Sequence, residues 1–186
     1  MRQQKIVITG GPATGKTSLI KELEAREYHC FHEVIRALTE KAKQEKNTEK
    51  FTTNPIAVVD DSLAFNKKIL DARIAHYKAS QELNKELIFF DRGIPDVLGY
   101  MDFFNQPYDR TFTRPCVKNT YDHIFILPPW EEIFVTDGER FESYEEALQI
   151  HFFLQKIYEH FGYDCISVPF GTVEKRVDFI LDQIEA

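Results

Sequence analysis

Five short runs of apolar, strand-favouring residues recur along the chain. Between them lie stretches in which apolar positions return every three to four residues. Lys5–Thr9 (KIVIT), His29–His32, Leu87–Phe90 (LIFF), His123–Leu127 (HIFIL) and Asp164–Val168 predict strands. Helical spacing predicts helices over Lys16–Ala25, Glu33–Gln44, Ser62–Leu83, Tyr144–His160 and Val173–Ile184, and Pro95 suits the first turn of a shorter one. Strands this uniformly apolar belong in a parallel sheet covered on both faces. The expected fold class is therefore α/β, a five-stranded parallel sheet between two layers of helices. Thr52–Pro55 (TTNP) and Pro128-Pro129 break the pattern as joints between elements, and residues 1–186 are expected to form one domain. Residues 130–143 lack periodicity and carry many charges between the fourth strand and a long helix, which marks them as a candidate lid.

Composition narrows the partners more than the fold. With 186 residues, 43% of them hydrophobic, the chain can bury a core without disulfides or metals. A net charge of −7 argues against a protein that coats nucleic acid, and the mixed charges of Lys41–Lys50 (KAKQEKNTEK) read as a solvated helix end and loop. Cys30, Cys116 and Cys165 lie far apart without metal-ligand spacing, so no zinc site is expected and a reducing compartment fits. The first strand begins almost at once, leaving no room for a signal peptide, and no apolar run could span a membrane; the expected location is the cytoplasm.

The strongest chemical signal is Gly10-Gly11-Pro12-Ala13-Thr14-Gly15-Lys16-Thr17, which satisfies G-x-x-x-x-G-K-S/T between an expected strand and an expected helix. Glycines let backbone N–H groups curl around phosphates, and the helix N-terminus adds its positive end. Gly11, Pro12, Ala13, Thr14, Gly15, Lys16, Thr17 and Ser18 are the expected triphosphate lining. Lys16 would neutralise β- and γ-phosphate oxygens, and the Thr17 hydroxyl would ligate Mg²⁺. A glycine-rich turn that binds nothing would need neither the lysine nor the threonine in register. No N-K-x-D guanine motif occurs, since Asn119 is followed by Thr120, so ATP is the expected nucleotide, with GTP left open.

The third strand ends in Asp91-Arg92. Ligands of open α/β sheets lie beyond the carboxyl ends of the strands, so both residues should face the crevice of Lys16 and Thr17, with Asp91 a second candidate for holding magnesium. An ordinary turn with a surface ion pair is the competing reading. Glu33 closes the second strand, where a carboxylate can accept a proton from an acceptor hydroxyl, and Arg36 follows about one turn later; a glutamate placed against a helix dipole is the alternative. Arg140, within Asp137-Gly138-Glu139-Arg140, is the lid candidate, set against a plain surface arginine.

Taken together, I-V-I-T-G-G-P-A-T-G-K-T, the glutamate after strand two, F-F-D-R-G-I-P-D, I-L-P-P-W-E-E-I and D-G-E-R-F-E-S-Y-E-E-A give the chain a resemblance over nearly its whole length. It resembles the small P-loop proteins known as AAA-type ATPase domains, which are related to the nicotinamide riboside kinase domain of NadR and, more distantly, to thymidylate and deoxynucleoside kinases. The chain ends soon after the fifth strand, without the separate helical domain of ring-forming motors, so motor activity is not expected. The kinase relatives imply roles for Lys16 and Thr17 at the phosphates and Mg²⁺, Glu33 on the acceptor side, Asp91-Arg92 as a D-R motif and Arg140 in the lid. Deoxynucleoside kinases also carry Phe-Gln followed by an arginine; here Phe65-Asn66 precedes Arg73, with a shorter amide and with Phe65 equally readable as core. The loop after the fifth strand contacts the base in such kinases, which here is Pro169–Thr172.

Two functions remain in play. One is a kinase that transfers the γ-phosphoryl of ATP to a small hydroxyl-bearing metabolite, such as a nucleoside or a nicotinamide riboside-like molecule. The other is a nucleotide-dependent switch or regulatory ATPase acting on a protein or lipid. The first uses Glu33, Arg92 and Arg140 together; the second uses only the P-loop and Asp91. Phe89, Phe90, Phe103, Phe104, Phe152 and Phe153 read mainly as core, and Trp130 as packing at the rim.

Overall fold

In the computed structural model, residues 2–35, 62–134 and 143–185 are described, and every structural statement below refers to them. The elements follow as β1 (Gln4–Gly10), α1 (Lys16–Ala25), β2 (His29–Phe31), α2 (Ser62–Gln81), β3 (Leu87–Asp91) and α3 (Asp96–Phe103). After these come α4 (Arg110–Lys118), β4 (His123–Leu127), a 3₁₀ turn at Glu131–Ile133, α5 (Tyr144–His160), β5 (Cys165–Ser167) and α6 (Val173–Glu185). All strands are parallel, in the order β2-β3-β1-β4-β5, as the alternation of apolar runs and helical stretches implies.

Alternation along each strand sorts the core into two layers. From β1, Ile6 and Ile8 join Leu19, Ile20 and Leu23 of α1 and Val177 and Ile180 of α6 on one face. Val7 instead joins Ile69 and Leu70 of α2, Leu98 and Met101 of α3 and Tyr158 of α5 on the other. In the same way Phe89 faces the α1–α6 side, while Ile88 and Phe90 face the opposite layer. Each fully buried Ile, Leu or Phe contributes roughly 1.5–3 kcal/mol relative to exposure, enough to fix the register of strands this short.

Strand and helix ends differ from expectation by a residue or two, most visibly at β2 and β5, which are three residues each. The α4 helix is absent from the expected elements, although it is amphipathic, with Phe112 and Cys116 one turn apart and buried. Pro115 lies inside it, and Asp109, whose side chain accepts from the Thr111 N–H at 2.8 Å, supplies the start signal. Pro95 stands at the N-cap of α3 rather than inside its first turn. Of the expected helix Glu33–Gln44 only Val34 and Ile35 are described as helical; Arg36, Lys41–Lys50, Thr52–Pro55 and Arg140 lie outside the described residues. Phe152 is not core: it is 59% exposed, in edge contact with Phe153.

Candidate active site

The strand order decides which chain segments meet. With β3 between β2 and β1, the carboxyl ends of these neighbours bring Glu33, Asp91-Arg92 and the P-loop to one edge. Ile8 pairs with Asp91 and Gly10 with Leu127, so β1 ends level with β4 and runs two residues past the end of β3 before the loop begins.

The loop from Gly10 to Lys16 turns through left-handed backbone at Ala13 (φ 55) and Gly15 (φ 86). This alternation of hands points successive N–H groups inward, the arrangement that holds anions. Gly15 caps α1 with no side-chain hydrogen bond, and the first turn of α1 has no acidic residue, so no carboxylate of that turn neutralises the helix end. A side chain at Gly15 would also strike Arg176, whose Nη1 would lie 2.9 Å from its Cβ. Arg176, on α6, donates from Nη1 to the Thr14 carbonyl at 3.0 Å and from Nε to the Pro169 carbonyl at 3.1 Å, and so braces the loop from behind. Thr17 and Ser18 are exposed at the start of α1, while Gly11 and Thr14 are buried and Pro12 and Ala13 half-buried.

Lys16 is folded onto its own loop, donating to the carbonyls of Gly10 (2.9 Å) and Gly11 (2.6 Å) and to the Thr14 hydroxyl (3.3 Å). Burial, then the neighbouring Arg92, bring its ammonium down to about 7, against the opposing pull of Asp91, Glu33 and Asp96. An anion replacing the carbonyls would restore the full charge, which is the response wanted from a phosphate-binding lysine.

Arg92 occupies a left-handed backbone position (φ 75), a conformation an arginine holds only when its surroundings enforce it. Its Nε donates to Glu33 Oε1 at 2.6 Å, and its Nη1 donates to the Gly10 carbonyl at 3.1 Å and to Asp96 Oδ1 at 3.2 Å. The guanidinium lies 5.1 Å from the centre of the Tyr100 ring. Burial pushes the Glu33 carboxyl up, but Arg92, Lys16 and Arg73 outweigh it and hold the group below the ordinary carboxylate range. The surface ion pair considered for Asp91-Arg92-Gly93 is therefore excluded for Arg92, which is 8% exposed.

Asp91 is the opposite case. Burial, then Glu33, push its carboxyl up to about 6, with Lys16 and Arg92 pulling the other way. Its Oδ1 is shut from solvent and has no hydrogen-bond partner. An orphaned carboxylate oxygen beside a phosphate loop is the kind of group that a magnesium ion or one of its waters satisfies. Among the described residues no group of three or more His, Cys, Asp or Glu could cage a metal. Mg²⁺ keeps several waters and takes one or two protein ligands plus phosphate oxygens. Thr17 and Asp91 fit that donor set.

Residues without an assigned role on sequence grounds complete the site. Asp96, inside the F-F-D-R-G-I-P-D segment, is fully buried and bonds Arg92 four residues before it. Thr9 and Tyr158 donate to it. Only the four-residue spacing of Arg92 and Asp96 could hint at the pair; Tyr158 leaves no local signal. Asn66 and Arg73, the weaker candidates of the sequence, are both buried on α2: Arg73 Nη1 donates to the Gly93 carbonyl at 2.9 Å, and Asn66 Nδ2 to Gln106 at 2.6 Å. Asn66 Oδ1 and Arg73 Nε are buried without partners. Phe65 is partly buried against the core. Trp130 stacks on Phe170 with ring centres 5.0 Å apart, and Arg176 lies 5.9 Å from the Trp130 ring centre.

The family model for an AAA domain matches residues 5–176. No curated protein sequence matches the chain. Among solved structures, deoxyadenosine kinase from M. mycoides with products dCMP and dCDP superposes with a TM-score of 0.65 at 16% identity, over 98% of this chain and 99% of that one. A NadR protein in complex with NR gives 0.70 at 18% identity, over 98% of this chain but 51% of NadR. Thymidylate kinase from Ehrlichia chaffeensis gives 0.64 at 12% identity, over 99% and 100%. At such identities the likeness is one of fold, that of the P-loop nucleoside and nucleotide kinases.

Proposed function

The chain belongs to the AAA domain family, and on that premise we propose that it is a magnesium-dependent kinase. It transfers the γ-phosphoryl of ATP to a hydroxyl of a small metabolite, either a nucleoside or a molecule resembling nicotinamide riboside. The observation that carries this reading is the ion pair of Glu33 with Arg92, held against the Gly10 carbonyl. A half-buried carboxylate anchored beside the phosphate loop can orient the incoming hydroxyl of a phosphoryl acceptor, and the acceptor screen below separates that role from activation of water.

The backbone N–H groups of the loop and Lys16 hold the β- and γ-phosphates in line, and Thr17 and Asp91 would hold Mg²⁺. The ion, when bound, spreads the charge of the triphosphate and of the departing diphosphate. The acceptor oxygen attacks the γ-phosphorus, its proton passes to Glu33, and the bond to the β,γ-bridging oxygen breaks with its electron pair leaving on ADP. The transition state of such transfers is loose, so a depressed carboxyl at Glu33 suffices: it aligns the hydroxyl and needs little basicity. Arg92 faces the transferring group. Asn66 Oδ1 and Arg73 Nε supply an acceptor and a donor for the acceptor molecule. The base of ATP rests against the Phe170–Trp130 stack, which Arg176 ties to the loop. Trp130 is the single tryptophan, so its fluorescence reports nucleotide binding.

The test is an acceptor screen with ATP and Mg²⁺ read by phosphorus NMR. A new phosphomonoester signal matched by ADP is expected from at least one nucleoside-like hydroxyl compound. Inorganic phosphate alone across the panel would replace the kinase with the regulatory ATPase.

A further inference from the structure

A carboxylate taken wholly out of water needs its acceptor positions filled, and Asp96 has both oxygens served by groups from separate parts of the chain. Oδ1 accepts from the Thr9 hydroxyl at 2.5 Å and from Arg92 Nη1 at 3.2 Å. Oδ2 accepts from the Gly93 N–H at 2.9 Å and from the Tyr158 hydroxyl at 2.5 Å. These donors come from the end of β1, from the turn after β3, and from α5. Burial pushes the Asp96 carboxyl up, but Arg73, Arg92 and the two hydroxyls hold it below the ordinary range, so it is charged at neutral pH.

The turn is shaped around this contact. A Cβ at Gly93 would collide with the Tyr158 hydroxyl, so only glycine lets Tyr158 reach Asp96. The Gly93 carbonyl accepts from Arg73, placing a second buried guanidinium on the same residue whose N–H serves Asp96. Both guanidiniums act on the Asp96 carboxylate, as they do on Glu33. Glu33 restrains only Nε of Arg92; without Asp96, Nη1 would keep a single neutral carbonyl, that of Gly10.

We propose that Asp96 is a positioning residue for phosphoryl transfer, fixing the guanidinium of Arg92 toward the transferring group, with Tyr158 orienting Asp96 in turn. The inference rests on the reading of Arg92 given above, because a positioned arginine matters only if it meets a phosphoryl group. Asp96 itself touches neither nucleotide nor acceptor.

The experiment compares Tyr158→Phe, which keeps the packed ring, with Asp96→Asn, each alone and combined with Arg92→Lys. The first readout needs no nucleotide: the Arg92 Nε–H signal in the ¹H–¹⁵N spectrum shifts in both single variants, and its exchange with water speeds up about tenfold. The second is ATP turnover, where kcat falls about tenfold for Tyr158→Phe and about 10–100-fold for Asp96→Asn, the range for residues that orient a reacting group, with ATP Kd within about twofold of wild type. In the Arg92→Lys background, which lacks the guanidinium fork, Tyr158→Phe costs less than about twofold. An unmoved Arg92 signal in Tyr158→Phe, or an equal loss of kcat with and without the arginine, would overturn the proposal and leave Asp96 a purely structural group. Absence of any phosphomonoester in the wild-type screen instead sinks the kinase reading, and the nucleotide-free Arg92 signal then still decides whether Asp96 holds the arginine.

Discussion

The two sides of the crevice are built on opposite electrostatic plans. On the donor side the N-terminus of α1 is bare: a glycine caps it without a side-chain hydrogen bond, and its first turn has no acid. The N-terminus of α5 shows what the same chain does when no ligand is due there. Ser143 and Glu146 form a reciprocal capping box, and Glu145 and Glu146 complement the helix dipole. On the acceptor side the charges are already paired, with Arg92 held between Glu33 and Asp96. On the proposed kinase reading, the donor side would take its counter-charge from a ligand, whereas the acceptor side carries its own and would suit a neutral, hydroxyl-bearing molecule. The difference implies that donor-side changes show up in binding and acceptor-side changes in rate.

Lys16→Ala should have the largest effect. The side chain now satisfies two loop carbonyls, and in the complex it would be the main cation on the triphosphate. Loss of ATP binding, followed by Trp130 fluorescence, and of turnover by at least about 10³-fold is expected. Unchanged turnover would place the site elsewhere.

Glu33→Gln breaks the comparison from the other side: kcat should fall by about 10²–10³-fold while ATP affinity is kept. A parallel loss of affinity would show that the two sides are not separable. The pH dependence of stability gives an independent check. The folded Glu33 carboxyl sits below its unfolded value of 4.5, so its ionisation stabilises the fold above that value, and the gain is lost as the pH falls through the depressed folded value. Wild type should melt above Glu33→Gln at pH 7, and the two should converge in acid. A gap that stays constant with pH would mean the variant acts through packing rather than charge.

The same contrast separates what the amino-acid order displays from what only packing creates. The donor side occupies consecutive residues, so Gly10–Thr17 carries its own context of strand, turn and helix, and the bounds expected for α1 match those observed. Asp91 and Arg92 are legible because a strand end is a local feature, and Glu33 because β2 ends just before it. Tyr158 reaches Asp96 across 62 positions of sequence, and Arg176 reaches Thr14 across 162, contacts that only the packing of α5 and α6 creates. The α4 helix is hidden because Pro115 argues locally against it, while burial of Phe112 and Cys116 decides for it. Orientation of Arg92 is hidden for a related reason: its left-handed backbone follows from the tertiary contacts of its guanidinium, not from its neighbours in sequence.

Asp91→Asn should have the smallest effect, and it falls on the boundary between the two sides. A residue that holds magnesium through its waters acts from the outer shell, so turnover should drop about 10–100-fold, with a higher Mg²⁺ concentration needed for half-maximal rate. Stability should move the opposite way. The folded carboxyl is pushed up to about 6 from 3.8, which means that ionising it penalises the folded chain; the penalty is complete above about pH 6 and absent below the unfolded value. A shift of that size corresponds to at most about 3 kcal/mol, less whatever the variant loses in attraction to Lys16. Without Mg²⁺, Asp91→Asn should therefore melt a few degrees above wild type at pH 8 and together with it near pH 4. Adding Mg²⁺ and ATP should stabilise wild type more than the variant, because only the carboxylate gains from the ion. A variant that melts lower at pH 8 would show that Asp91 is already paired in the folded chain, and the magnesium role would then pass to Thr17 alone.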